Sequence, residues 1–243
     1  MKMDRRTGFT LVEVLVTVAI IGVLFVLGLV VFENAGKKNP ERGAALVMNA
    51  LRLARQHAVA QRQWTLVAFP TRDGGAYAAA DLPKCLRGFA VLAVVNNMDG
   101  LADARQVPDH MEFAFVKDWD YLPEGITFDD DPTLDGNFVF GAPSGSGDTY
   151  TGAFRFPLDP ANPGNRDRPM GAVLFKPNGR AYVMHDASPT GRCWQDVDGS
   201  KLYVTATKRY ETSDGQLGAA TIVPGATSVV RIRNKTGQVE QVP

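Results

Sequence analysis

The sequence predicts an α+β protein: a long N-terminal helix, membrane-spanning in its first half, packed on an antiparallel β domain, as one sheet or a sandwich. Three observations predict the two layers. The run from Phe9 to Phe32 is apolar except for Thr10, Glu13 and Thr17. Between Pro40 and Gln63 apolar residues recur every three or four positions, the period of a helix with one buried face. From Trp64 onward, short runs rich in β-branched and aromatic residues alternate with turns rich in Gly, Pro, Asn and Asp. A chain of 243 residues can bury a core without metal or disulfide support.

Taken in order, residues 1–8 carry Lys2, Arg5 and Arg6 ahead of the apolar run. As a helix that run reaches about 36 Å, enough to cross a hydrocarbon core of about 30 Å. The basic residues place the N-terminus in the cytoplasm and everything after Glu33 across the membrane. No small-residue cleavage site precedes Glu33, and the run is longer than the apolar core of a cleaved secretory signal. Glu33 to Pro40 is a polar break, and Asn39 with Pro40 makes an N-cap and first-turn pair. The helix that follows, to about Gln63, carries its stripe on Val47, Leu51, Ala54 and Ala58.

Strands are expected at 64–69, 87–95, 111–116, 125–128, 137–140, 152–156, 171–175, 180–184, 201–207, 228–233 and 238–242. Asn178 and Gly179 in "KPNGRA" both tolerate positive φ and predict a hairpin, and "NKTG" (234–237) predicts a second. The chain therefore divides into a leader at 1–8, a membrane helix at 9–33, an amphipathic spine helix at 34–63 and a β-rich domain at 64–243.

Glu13 is the residue that does not fit its segment. A charge at the centre of a membrane helix costs about 2.5–3.5 kcal/mol, and less near the interface. It either reaches headgroups and water one turn into the bilayer or meets a positively charged partner. The stretch "GFTLVE" (8–13), after a basic leader and before a long apolar run, resembles the processing site of type IV pilins and type II secretion pseudopilins. That resemblance implies cleavage after Gly8 by a prepilin peptidase and N-methylation of Phe9 by the same enzyme. It also implies that Glu13, then the fifth residue, meets the terminal amine of a neighbouring subunit.

Further segments, "LRLARQHAVAQRQWTLVAFP" (51–70), "YLPEGITF" (121–128), "VLFKPNGRAYV" (173–183) and "VVRIRNKTGQVEQV" (229–242), resemble the GspH/FimT group of minor pseudopilins and minor pilins. The resemblance implies a non-enzymatic filament subunit without a cofactor. Its expected partners are other pilin or pseudopilin subunits, the prepilin peptidase/methyltransferase, an inner-membrane assembly platform and exported cargo. The globular domain is expected in the periplasm.

Some relatives in that group hold DNA on a basic C-terminal motif. Here Arg231, Arg233 and Lys235 alternate with apolar residues on one strand face, which either binds phosphates or is simply a solvated outer face. Gln238 follows Gly237 where the DNA-binding pattern has an arginine. The chain as a whole gives no help, since 26 basic residues balance 26 acidic ones and the leader removes more basic than acidic charge.

Cys85 and Cys193 lack metal or redox spacing and form either one disulfide or two buried thiols. Asp129, Asp130, Asp131 and Asp135, like Asp196 and Asp198, do not follow a calcium-loop pattern. His57, His110 and His185 belong to no metal motif, and no nucleophile elbow accompanies Ser188. No catalytic or metal site is therefore expected.

Overall fold

The computed structural model describes residues 11–12, 15–18, 20–22, 39–70, 84–96, 112–129, 134–136, 139–140, 155–157, 159–163, 168–184, 194–195, 199–208 and 221–242. The chain forms two units, residues 1–37 and 38–243. In the first, the described residues 11–12, 15–18 and 20–22 are helical.

The second unit begins with α1, Pro40–Gln61. Asn39 holds an extended backbone and its side chain accepts a hydrogen bond from the Glu41 amide at 2.9 Å, while Pro40 supplies the first turn. The helix stops where Arg62 turns left-handed at φ 54°. Its buried face is Gly43, Ala44, Val47, Ala50, Leu51, Ala54 and Ala58. These mostly small side chains let the helix lie close against strands of both sheets.

The strands are β1 (Thr65–Pro70), β2 (Gly88–Val94), β3 (Phe113–Tyr121), β4 (Ile126–Phe128), β5 (Arg155–Phe156), β6 (Arg168–Phe175), β7 (Ala181–Met184), β8 (Trp194–Gln195), β9 (Ser200–Lys208), β10 (Thr221–Arg233) and β11 (Gln238–Val242). They build two antiparallel sheets. The first runs β3-β2-β1-β6-β7-β8 with β5 on β6, and the second runs β11-β10-β9-β4. The fold is thus α+β, a helix packed against antiparallel sheets.

β1 and β2 are buried at every residue, which is why they read as continuous apolar runs rather than alternating ones. An aromatic cluster ties the sheets together. Phe128 of β4 meets Phe69 of β1 edge-on at 5.1 Å and Phe89 of β2 at 6.4 Å, and Phe140 closes the group. A second tie is the turn before β2. Leu86 adopts a left-handed φ of 53°, donates to the Pro70 carbonyl and accepts from the Phe128 amide. This one residue therefore bonds the end of β1 to a strand of the other sheet.

Four local expectations need revision. Val139 and Phe140, expected in a strand, form a turn yet are buried, so their apolar character serves the core rather than a ladder. β3 continues to Tyr121, beyond its apolar run, because its pairing with β2 carries the polar end along. Trp194–Gln195 pairs with β7 although too short to signal itself in sequence. β10 extends back to Thr221, with its register breaking between Ile222 and Thr227 around Pro224, which has no amide to give to a ladder.

The "KPNGRA" hairpin forms, but with only Gly179 at positive φ (79°). The Asn178 side chain instead accepts from the Arg180 amide.

Candidate functional site

The two candidate sites lie at opposite ends of the sequence. At the N-terminus, Gly8, Phe9 and Glu13 fall outside the described residues. Around them the described residues are apolar except for Thr17. Leu11, Val12, Leu15, Val16, Val18, Ile20 and Ile21 are each more than half exposed. At about 100° per residue these positions surround the helix axis. A helix apolar over most of its circumference needs an apolar environment or other helices on more than one side. Among the described residues no helix is long and apolar enough to cross a membrane.

At the other end, β10 and β11 pair with Arg231 opposite Glu240 and Arg233 opposite Gln238. Burial alternates along β10, with Val230 and Ile232 inward and Arg231 and Arg233 outward, so the expected shared face of the two arginines is present. Lys235 is exposed in the turn beyond the strand. The sequence reading missed the carboxylates on this face. Glu240 accepts from the Arg233 guanidinium at 3.1–3.2 Å and lies 3.7 Å from Arg231. On the far side of Arg231, Lys201 of β9 pairs with Asp135. The Lys201 hydrogen bond, helped by its charge, holds the Asp135 carboxyl below its ordinary value. Tyr203 donates to the Asp135 carbonyl at 2.7 Å, fastening the same short loop to β9. Asp135 is thus committed to Lys201 in this structure. Alternation of charge at 201, 231, 233 and 240 was visible in sequence, but the strand order that brings these residues together was not.

A third charged cluster sits where the β6–β7 turn meets the end of α1. Lys176 Nζ stands 4.7 Å over the Trp64 ring and 4.5 Å over that of Tyr182. Burial, with the neighbouring Arg180 charge, pushes its ammonium below the ordinary lysine value. The rings supply favourable contact to the cation that burial costs it in water.

Cys85 is buried in the turn before β2, and Cys193 lies outside the described residues. His57 shares a 3.0 Å hydrogen bond with Thr65, joining α1 to the start of β1. His110 and His185 lie outside the described residues. Among the described residues no group of three metal-ligating side chains converges.

Comparison with known proteins gives one match. Residues 3–29 match the model of the prokaryotic N-terminal methylation motif. No curated protein matches the chain, and no solved structure does. The N-terminus is therefore a prepilin-type methylation motif, and it contains Gly8, Phe9 and Glu13.

Proposed function

We propose that the protein is a minor pseudopilin of the GspH/FimT kind, a structural subunit of a type II secretion or related pilus-like filament. The observation that carries this reading is the methylation motif over residues 3–29. It is supported by the exposed apolar residues of the helix within that segment and by the helix-on-antiparallel-sheet fold of the second unit.

In this reading the precursor sits in the inner membrane with its N-terminus in the cytoplasm and its globular domain in the periplasm. The prepilin peptidase cuts after Gly8 and methylates the new amine on Phe9. Cleavage leaves a cation at the membrane's edge close to the Glu13 carboxylate of a neighbouring subunit. Burying the two charges together costs less than burying them apart, and the pairing fixes the axial register between helices. The assembly platform then lifts the subunit into a filament with its fellow pilins, where the β domain faces partners or cargo. Insertion and filament packing ask neither catalysis nor a cofactor of this chain.

The test is mass spectrometry of the mature N-terminus, joined to cross-linking of the subunit with its pilin partners. The expected product begins at N-methylated Phe9. Glu13→Leu is expected to be inserted and cleaved as before but to lose co-assembly. An uncut chain defeats the processing step, and undiminished co-assembly of Glu13→Leu defeats the pairing.

The alternative, a FimT-like minor pilin holding DNA on Arg231, Arg233 and Lys235, has weaker support because Glu240 engages both strand arginines. A gel shift at low salt, repeated with the three residues changed to alanine, separates the two readings. The Cys85–Cys193 bridge stays part of the proposal for an exported domain. Two titratable thiols in denatured, unreduced protein would remove it.

A further inference from the structure

Two of the arginines on α1 do more than solvate its outer face. Arg52 reaches over to β11 and donates to the Val239 carbonyl at 3.5 Å. Arg55, one turn on, donates through Nε to the Gly179 carbonyl in the β6–β7 turn at 3.4 Å. There the two hairpin turns are pressed together: a Cβ on Gly237 would lie 2.0 Å from the Gly179 carbonyl oxygen. Gly237 itself has φ 63°, so this contact admits glycine alone on both counts. Between the helix and the strand is a groove of about 400 Å³, with Arg52, Arg55 and Gln56 on one wall and residues 237–240 on the other.

The strand wall is an edge. β11 ends the four-stranded sheet and, among the described residues, pairs only with β10. Because the Val239 carbonyl turns towards Arg52, it turns away from β10. In an antiparallel ladder the amide and carbonyl of one residue leave on the same side. The Val239 amide therefore faces the groove too, and two residues on, Gln241 repeats the orientation.

The helix wall is cationic. Each guanidinium carries five N–H donors and spends one on a bond near the limit of hydrogen-bonding distance. Among the described residues the carboxylate bordering the groove is Glu240, which is already held by Arg231 and Arg233. In a chain of zero net charge this is a local surplus of positive charge beside an open strand edge.

We propose that this groove receives an extended acidic peptide segment of a partner protein, which adds as a strand to β11 and pairs its carboxylates with Arg52 and Arg55. The incoming backbone takes over the Val239 carbonyl, and the displaced Arg52 fork turns to a carboxylate, for which its geometry is better suited. A polynucleotide fits less well, since its backbone has no amide and carbonyl to complement the open strand edge. The proposal concerns the globular unit alone and stands whether or not the chain enters a filament.

The test uses the full chain in detergent micelles and a short fluorescein-labelled peptide alternating glutamate with valine, read by fluorescence anisotropy. Saturable binding is expected, weakened about tenfold or more when lysine replaces glutamate in the peptide. Arg52→Ala is expected to weaken binding by about tenfold, the loss usual for a charged hydrogen-bonding partner. Arg52 is exposed and makes one long bond, so this variant stays folded and carries the prediction if Arg55→Ala does not. Gln241→Pro, which removes a groove-facing amide without touching a charge, is expected to weaken binding while leaving both arginines in place. Wild-type affinity in Arg52→Ala or in Gln241→Pro overturns the proposal. So does binding of an oligothymidylate that displaces the peptide, which would make the groove a phosphate site.

Discussion

Two helical regions of this chain are built from the same apolar residue types and meet opposite fates. In residues 11–22, Leu11 is 77% exposed and Ile21 59% exposed. In α1, Val47 and Leu51 are fully buried. The difference is periodicity. The first region spreads its apolar residues over most of its circumference, so no single neighbour can cover it. The second confines its apolar residues to one stripe, and the sheets of the same unit cover that stripe. Hydrophobicity by itself thus does not say what a helix packs against; its angular distribution does.

The comparison can be broken most directly by matched truncations. Leu51→Ala should destabilise the globular unit by about 2–5 kcal/mol through lost burial and the cavity left behind. Leu15→Ala should leave the same transition within about 0.5 kcal/mol, since its side chain contributes nothing to that core. Urea unfolding followed by tryptophan fluorescence reads this cleanly, because Trp64, Trp119 and Trp194 all belong to the second unit. Equal effects of the two changes would erase the distinction between the helices.

A smaller effect sharpens it. α1 has a start of its own in Asn39, so Asn39→Ala should cost about 1 kcal/mol in the same assay. No measurable cost would mean that α1 draws its boundary from the preceding helix and not from its cap.

The smallest effect concerns charge on the sheet surface. Asp135 titrates below its ordinary value because Lys201 binds its ionised form. Its contribution to stability is accordingly complete above the ordinary carboxylate range and is lost as pH falls through the lowered folded-state value. The side chain is exposed, so the effect should be visible as a shifted carboxyl resonance in an NMR titration rather than as a large change in stability. Lys201→Ala should return the midpoint to the ordinary range, and an unmoved midpoint would sever the pairing.

Much of this architecture is legible in the sequence because local rules and tertiary structure agree there. Asn39–Pro40 marks the start of α1, its stripe marks the buried face, and Gly179 and Gly237 mark the two hairpin turns. What was not legible depends on residues far apart in the chain. Val139 and Phe140 look like strand residues and serve as a buried turn, since an apolar pair fits either role. The basic strip at Arg231 and Arg233 looks unopposed until the β10–β11 register sets Glu240 between them. Arg52 and Arg55 lie off the apolar stripe of α1, yet they reach a strand and a turn contributed from far along the sequence.

By itself, then, the sequence determined the α+β class, the helix that carries one buried stripe and the N-terminal methylation motif over residues 3–29, because periodicity, caps and short motifs are local properties. Only the tertiary structure decided the division of the strands between two sheets, the pairing of the basic strip with Glu240 and the groove beside β11. Each of those depends on which strands lie side by side, and that choice is made by pairing and packing between residues that the chain keeps far apart.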